Sequence, residues 1–117
     1  MTTEYRSRPI TAGNLKAFRI TLTPFRHLLP PDVIGSNDRH SPAAAALRLR
    51  WRHHAVDTDI PSYPHGKGPR GFFRSRSFAE LFLSDSGAEV GDVVIFEQLG
   101  SHECRLYLEK PSGERIG

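Results

Sequence analysis

Four residues near the middle of the chain, His53, His54, Asp57 and Asp59, are of the types that move protons or hold a divalent cation. General acid–base work needs a carboxylate, or an imidazole with a partner that orients it. Side chains alternate along an extended segment, so His53 and Asp57 share one side and a small metal-dependent nuclease or hydrolase centre is conceivable. The plainer reading is that both aspartates solvate a loop or pair with the arginines around them. Companion signatures are missing. No spaced acidic pair runs into Glu-x-Lys, and no Gly-rich phosphate loop is followed by Lys-Ser or Lys-Thr. Cys104 is the only cysteine, which excludes an internal disulfide and a cysteine-based zinc site. It falls in an alternating pattern and reads as a small buried thiol. The expectation is a non-enzymatic chain with no cofactor and no metal.

Nucleic-acid chemistry has more support. Two polar, basic segments stand out, residues 11–19 and 59–76. The first offers Asn14, Lys16 and Arg19; the second offers Asp59, Ser62, Tyr63, His65, Lys67 and Arg70. Arg and Lys match the O6/N7 edge of guanine, Asn matches adenine, and Asp accepts from cytosine N4. Arg19, Arg74 and Arg76 suit phosphate, which sets register without reading sequence. Of the 16 basic residues 13 are Arg, whose planar fork fits both targets better than the point charge of Lys. The net charge of +3 hides a partition: residues 1–80 carry 13 basic against 6 acidic side chains, and residues 81–117 carry 3 against 7. The acidic C-terminal strands leave a third possibility, a protein-interaction module.

These residues must be held by a small, turn-rich scaffold. With 117 residues, 38% hydrophobic content, nine prolines and ten glycines, one domain spanning 1–117 follows, with 1–9 and 111–117 flexible. Period-two alternation predicts strands over 17–23 and 47–52, the latter with Leu47, Leu49 and Trp51 on one face and three arginines on the other. An extended piece follows over 53–60, a short strand over 72–76, and further strands over 93–97 and 104–108. Residues 11–16 read as a loop, and 26–34 as a short helix or turn broken by Pro30-Pro31. Residues 61–71 hold three prolines and three glycines and read as a long exposed loop. A helix begins after Ser75 or Ser77, with Glu80 at capping-box spacing from Ser77, and ends at 84–87. Phe18, Trp51, Phe73, Phe78 and Phe96 read as core, and Tyr63 as exposed. No apolar run of membrane-spanning or signal length occurs, so a soluble cytoplasmic protein with no membrane partner is expected.

The order of several short motifs resembles the B3-type DNA-binding domain. They are Thr-Ala-Gly-Asn-Leu at 11–15, Ile-Thr-Leu at 20–22, Pro-Asp-Val-Ile-Gly at 31–35, Val-Asp-Thr-Asp-Ile at 56–60, Phe-Arg-Ser-Arg-Ser-Phe at 73–78, Gly-Asp-Val-Val-Ile-Phe-Glu at 91–97 and Arg-Leu-Tyr-Leu at 105–108. The version most like this chain is the bacterial effector domain of EcoRII-type restriction endonucleases. The resemblance implies a mainly β fold, a seven-stranded open pseudobarrel with two short helices, monomeric as an isolated domain. It implies sequence-specific binding of double-stranded DNA through the major groove by two arms. The N-arm would be 11–19, with Thr11, Asn14, Lys16 and Arg19; the C-arm would be 59–70. A fused or associated nuclease domain would do the cutting. The proline-rich stretch 61–69 is longer than the family pattern.

Overall fold

Alternating side chains build the middle of the molecule, which a computed structural model describes over residues 3–117. Leu47, Leu49 and Trp51 are buried to 1% exposure or less, while Arg48 between them faces solvent. The fold is mainly β. Among the described residues there are six strands: β1 (Glu4–Arg6), β2 (Leu47–Trp51), β3 (His54–Thr58), β4 (Val93–Gly100), β5 (Glu103–Glu109) and β6 (Arg115–Ile116). They form one mixed sheet in the order β1-β4-β5-β2-β3. Only the β2–β5 pairing is parallel. Along one edge of β5, β2 takes residues 103–105 and β6 takes 108–109. The sheet is open, with β1 and β3 at its ends, so the expected seventh strand and barrel closure are not seen among these residues.

Two helices lie outside the sheet, α1 (Ala12–Ala17) and α2 (Arg76–Asp85). Ser75, not Ser77, caps α2, its hydroxyl accepting from the Phe78 amide at 3.4 Å. The buried face of α2 is Phe78, Ala79, Phe82 and Leu83, at helical spacing. Phe82 meets Trp51 edge-to-face at 4.7 Å, and the Trp51 indole donates to Asp85 at 2.8 Å. Trp51 is thereby both packed and satisfied, as a buried indole must be.

Three expectations are overturned. Residues 11–16, read as a loop, form most of α1, because Thr11 and Asn14 make a reciprocal capping box. Residues 17–23, read as a strand, make no ladder: α1 ends in a left-handed Phe18, the Leu22 amide donates to the Gly71 carbonyl at 2.8 Å, and the Leu22 carbonyl accepts from the turn amides of Phe25 and Arg26. Ile20 and Leu22 are still buried, so the alternation reported burial without pairing. Residues 72–76 also pair with no strand; the Arg74 amide goes to the Asp59 carbonyl and the Ser75 amide to the Thr58 hydroxyl.

Short strands lie near both chain ends. β1 pairs with β4 and β6 with β5; residues 1–2 lie outside the described residues. Arg115 bonds Glu4 at 2.7 and 2.9 Å and Glu109 at 3.0 Å, and Arg6 also pairs with Glu109. The arginine hydrogen bonds hold the Glu4 and Glu109 carboxyls below their ordinary range. Carboxyls depressed on folding stabilise above the unfolded value, about 4.5, and that contribution is lost as pH falls through the folded value. Arg115→Gln should therefore lower the urea midpoint at pH 7, and the gap to wild type should narrow as pH falls below about 4.5 toward pH 3. A gap of equal size at both values would rule out the ionic clamp.

Candidate nucleic-acid interface

The proline- and glycine-rich stretch is an ordered finger. Leaving β3, the chain runs out from Asp59 and returns to Arg74. Rungs cross it: the Arg74 amide to the Asp59 carbonyl, Arg70 to Pro61, and Tyr63 to Gly68, each 2.8 Å. Ser62 and Pro69 form the bridge between the last two. Its tip turns through three residues of positive φ, His65 (62°), Gly66 (71°) and Gly68 (89°), which explains the two glycines. From outside, Arg26 donates to the carbonyls of Pro69 and Arg70, both at 3.1 Å.

At the root of the finger sits a buried ion pair. Asp59 is 5% exposed; it accepts from Arg74 Nε at 2.6 Å, Arg74 Nη2 at 3.0 Å and the Ala43 amide at 2.8 Å. Arg74 also donates to the Ser36 carbonyl at 2.7 Å. The bond to Asp59 pushes the Arg74 guanidinium pKa further up. Gly35 is confined here, since a Cβ would stand 2.3 Å from an Asp59 oxygen and 2.6 Å from the Ala43 nitrogen.

The second arm is α1 with its exit. Thr11 and Asn14 bond each other at 2.9 to 3.1 Å, and the Asn14 amide group donates to Thr21 at 3.3 Å. The helix terminus is joined to α2, because Arg76 donates to the Ala17 carbonyl at 3.0 Å. Arg19 then lies 4.2 Å over the ring of Phe72, beside the finger's root.

The carboxylates sort the cations. Arg48, Arg50 and Arg52, the basic face of β2 and its turn, pair with Asp57, Glu103 and Asp85. Arg6, Arg74, Lys110 and Arg115 are also paired. Among the described residues the basic side chains without a carboxylate are Arg8, Lys16, Arg19, Arg26, Arg39, Lys67, Arg70, Arg76 and Arg105; six of these nine lie in the two arms or against them. No Asp or Glu occurs at 5–31 or at 60–79. Arg70 stacks between Tyr63 at 4.7 Å and Phe72 at 5.9 Å.

The structure redistributes the expected contact residues. Lys16, Tyr63, His65 and Lys67 are exposed, and Tyr63 keeps 42% of its surface. Four expected contact residues are occupied internally. Thr11 and Asn14 cap α1, Ser62 donates to the Gly35 carbonyl at 2.7 Å, and Asp59 is the buried half of an ion pair. Arg74 is the other half, with Nε and Nη2 engaged by Asp59 and the Ser36 carbonyl. Arg76 stays exposed with one donor used. Phe72 and Arg26 were not singled out by the sequence, although an aromatic beside Gly71 and Arg70 is a usable signal. The supposed catalytic group is dispersed. His53 and His54 stack on each other at the β2–β3 turn, Asp57 pairs with Arg48 at 2.8 Å, and Asp59 faces Arg74. Among the described residues no three His, Cys, Asp or Glu side chains are grouped to hold a metal ion. Cys104 is buried, which pushes its thiol up to about 11.

No family model matches this chain, and neither a curated protein nor a solved structure is significantly similar to it.

Removing one partner of a buried pair strands the other charge, a loss of about 3 kcal/mol. Arg74→Ala should cost that much in urea unfolding, and Gly35→Ala about 1–3 kcal/mol through overpacking. An unchanged midpoint for Arg74→Ala would return Arg74 to the surface residues available for contact.

Proposed function

We propose that the chain is a sequence-specific reader of double-stranded DNA that enters the major groove with the finger and with α1. The observation that carries this is the residue of positive charge: after the sheet's arginines are neutralised, the uncompensated cations gather on two pinned projections. A major groove about 12 Å wide admits a two-stranded ribbon or a helix. The finger has the form of the first, and α1 is a short example of the second. Exposed His65 and Lys67 at the finger tip would meet base edges, with Lys16 and Tyr63 beside them. Because the rungs already order the finger, little conformational freedom is lost on binding.

The resemblance to B3-type domains supports the same arms and extends the proposal. The open mixed sheet would be a B3-like pseudobarrel, and the chain the target-recognition domain of a restriction endonuclease whose nuclease centre lies in a fused or associated domain. The parts of the resemblance that bear on function are the 11–15 and 56–60 motifs, which position α1 and the root of the finger.

Selection from random duplex DNA at about physiological salt tests this. One short motif should be enriched, and the log of affinity should fall with log salt at about −0.9 per phosphate neutralised. Lys67→Ala should flatten the preference at one position. Retention of DNA with no enriched motif would reduce the function to backbone binding, and absence of retention would overturn it.

A further inference from the structure

Arg70 and Arg19 come from different arms and rest on one ring. Their guanidinium carbons lie 5.9 and 4.2 Å from the centre of Phe72. Neither has a carboxylate partner among the described residues. Arg19 Nε is buried with no hydrogen-bond partner, the one buried side-chain polar atom in that condition among the described residues. Arg70 uses Nε on the Ser62 carbonyl at 3.4 Å, and among the described residues its Nη groups have no hydrogen-bond partner. Arg26 adds a third cation behind the finger. Two cations that share one ring, with no carboxylate partner among the described residues, are a candidate anion site.

Position along the finger decides which anion. Arg70 belongs to the rung with Pro61, near the root, whereas the tip is at 65–66. A ribbon inserted into a groove carries its tip to the base edges and leaves its root at the rim, where the phosphates run. We propose that Arg19 and Arg70, seated together on Phe72, form a single phosphodiester-binding site that both arms share. This rests on the DNA reading above. It moves Arg70 from the base readers to the phosphate contacts. Phe72 is the positioning residue: it orients both guanidiniums without touching DNA.

The test is a double-mutant cycle on duplex DNA carrying the selected motif. Arg19→Ala and Arg70→Ala should each weaken binding about tenfold, as expected for a lost charged hydrogen bond. The loss should be equal on specific and random duplexes, and the double variant should lose little more than either single one. A neutral methylphosphonate scanned along the backbone should weaken wild type at one position and leave the double variant unaffected there. Phe72→Leu should produce part of the loss with the folding midpoint checked separately. Losses that multiply, or an Arg70→Ala effect confined to one base pair, would overturn the shared site. A second measurement separates the two proposals. Adding inorganic phosphate, but not chloride, should shift the side-chain NMR signals of Arg19 and Arg70 together. If phosphate shifts both and no duplex is bound, the anion site stands and the DNA reading falls. If duplex is bound and phosphate shifts neither, the shared site falls alone.

Discussion

The Asp59–Arg74 pair is the constraint on which the working part of the molecule hangs. It closes the root of the finger from its two ends, at a separation of 15 residues. It also reaches sideways, to the Ala43 amide and the Ser36 carbonyl, so the loop before β2 is registered on the same point. Taking two charges out of water is costly, and the cost is offset only where every lone pair finds a donor. Asp59 has donors on both carboxylate oxygens, three in all, and Gly35 makes room by having no side chain. One residue further on, Ser75 caps α2 while its amide goes to Thr58, so the helix starts from the same node.

A second constraint is the distribution of carboxylates. The three arginines of β2 and its turn look from sequence like the strongest basic surface in the chain. Each is faced by an acid from another element: Asp57 across the hairpin, Glu103 on β5, Asp85 on α2. Exposed pairs of this kind add little stability, but they remove a competing positive field. What remains uncompensated belongs to the arms. A ligand of high negative charge density is thus steered to one region by subtraction as much as by accumulation.

Period-two alternation made β2 and β5 legible, β4 was legible as an apolar run after the Gly91-Asp92 turn, and α2 was legible from its apolar spacing. The basic arms were legible as composition. The signal failed where long-range partners decide. Alternation at 18–22 reflects burial against the core, but no neighbouring strand is there to pair with it. The α1 helix was hidden because its capping box uses Asn14 in place of the usual Glu or Gln. Asp59 looked like a base reader because its partner lies across the finger. The order within the finger depends on Arg26, more than 40 residues away, which no local window contains. Terminal strands of two and three residues carry no periodic signal; the ion pairs of Arg115 with Glu4 and Glu109 hold them in place.

The arms also show what the fold gives up to keep them. Phe18 and His65 hold left-handed backbone that side chains disfavour, and both lie at turning points of the arms. Arg19 leaves a buried nitrogen unsatisfied. The arginines around Phe72 repel one another with no acid to relieve them. Each of these weakens the free protein, and none contributes to the packing of the sheet. Local rules are broken on both projections, and also at Arg52 in the β2–β3 turn, where φ is 54°. If the arms bind DNA as proposed, a phosphate backbone laid across them would supply the counter-charge that the arginines on Phe72 lack within the described residues.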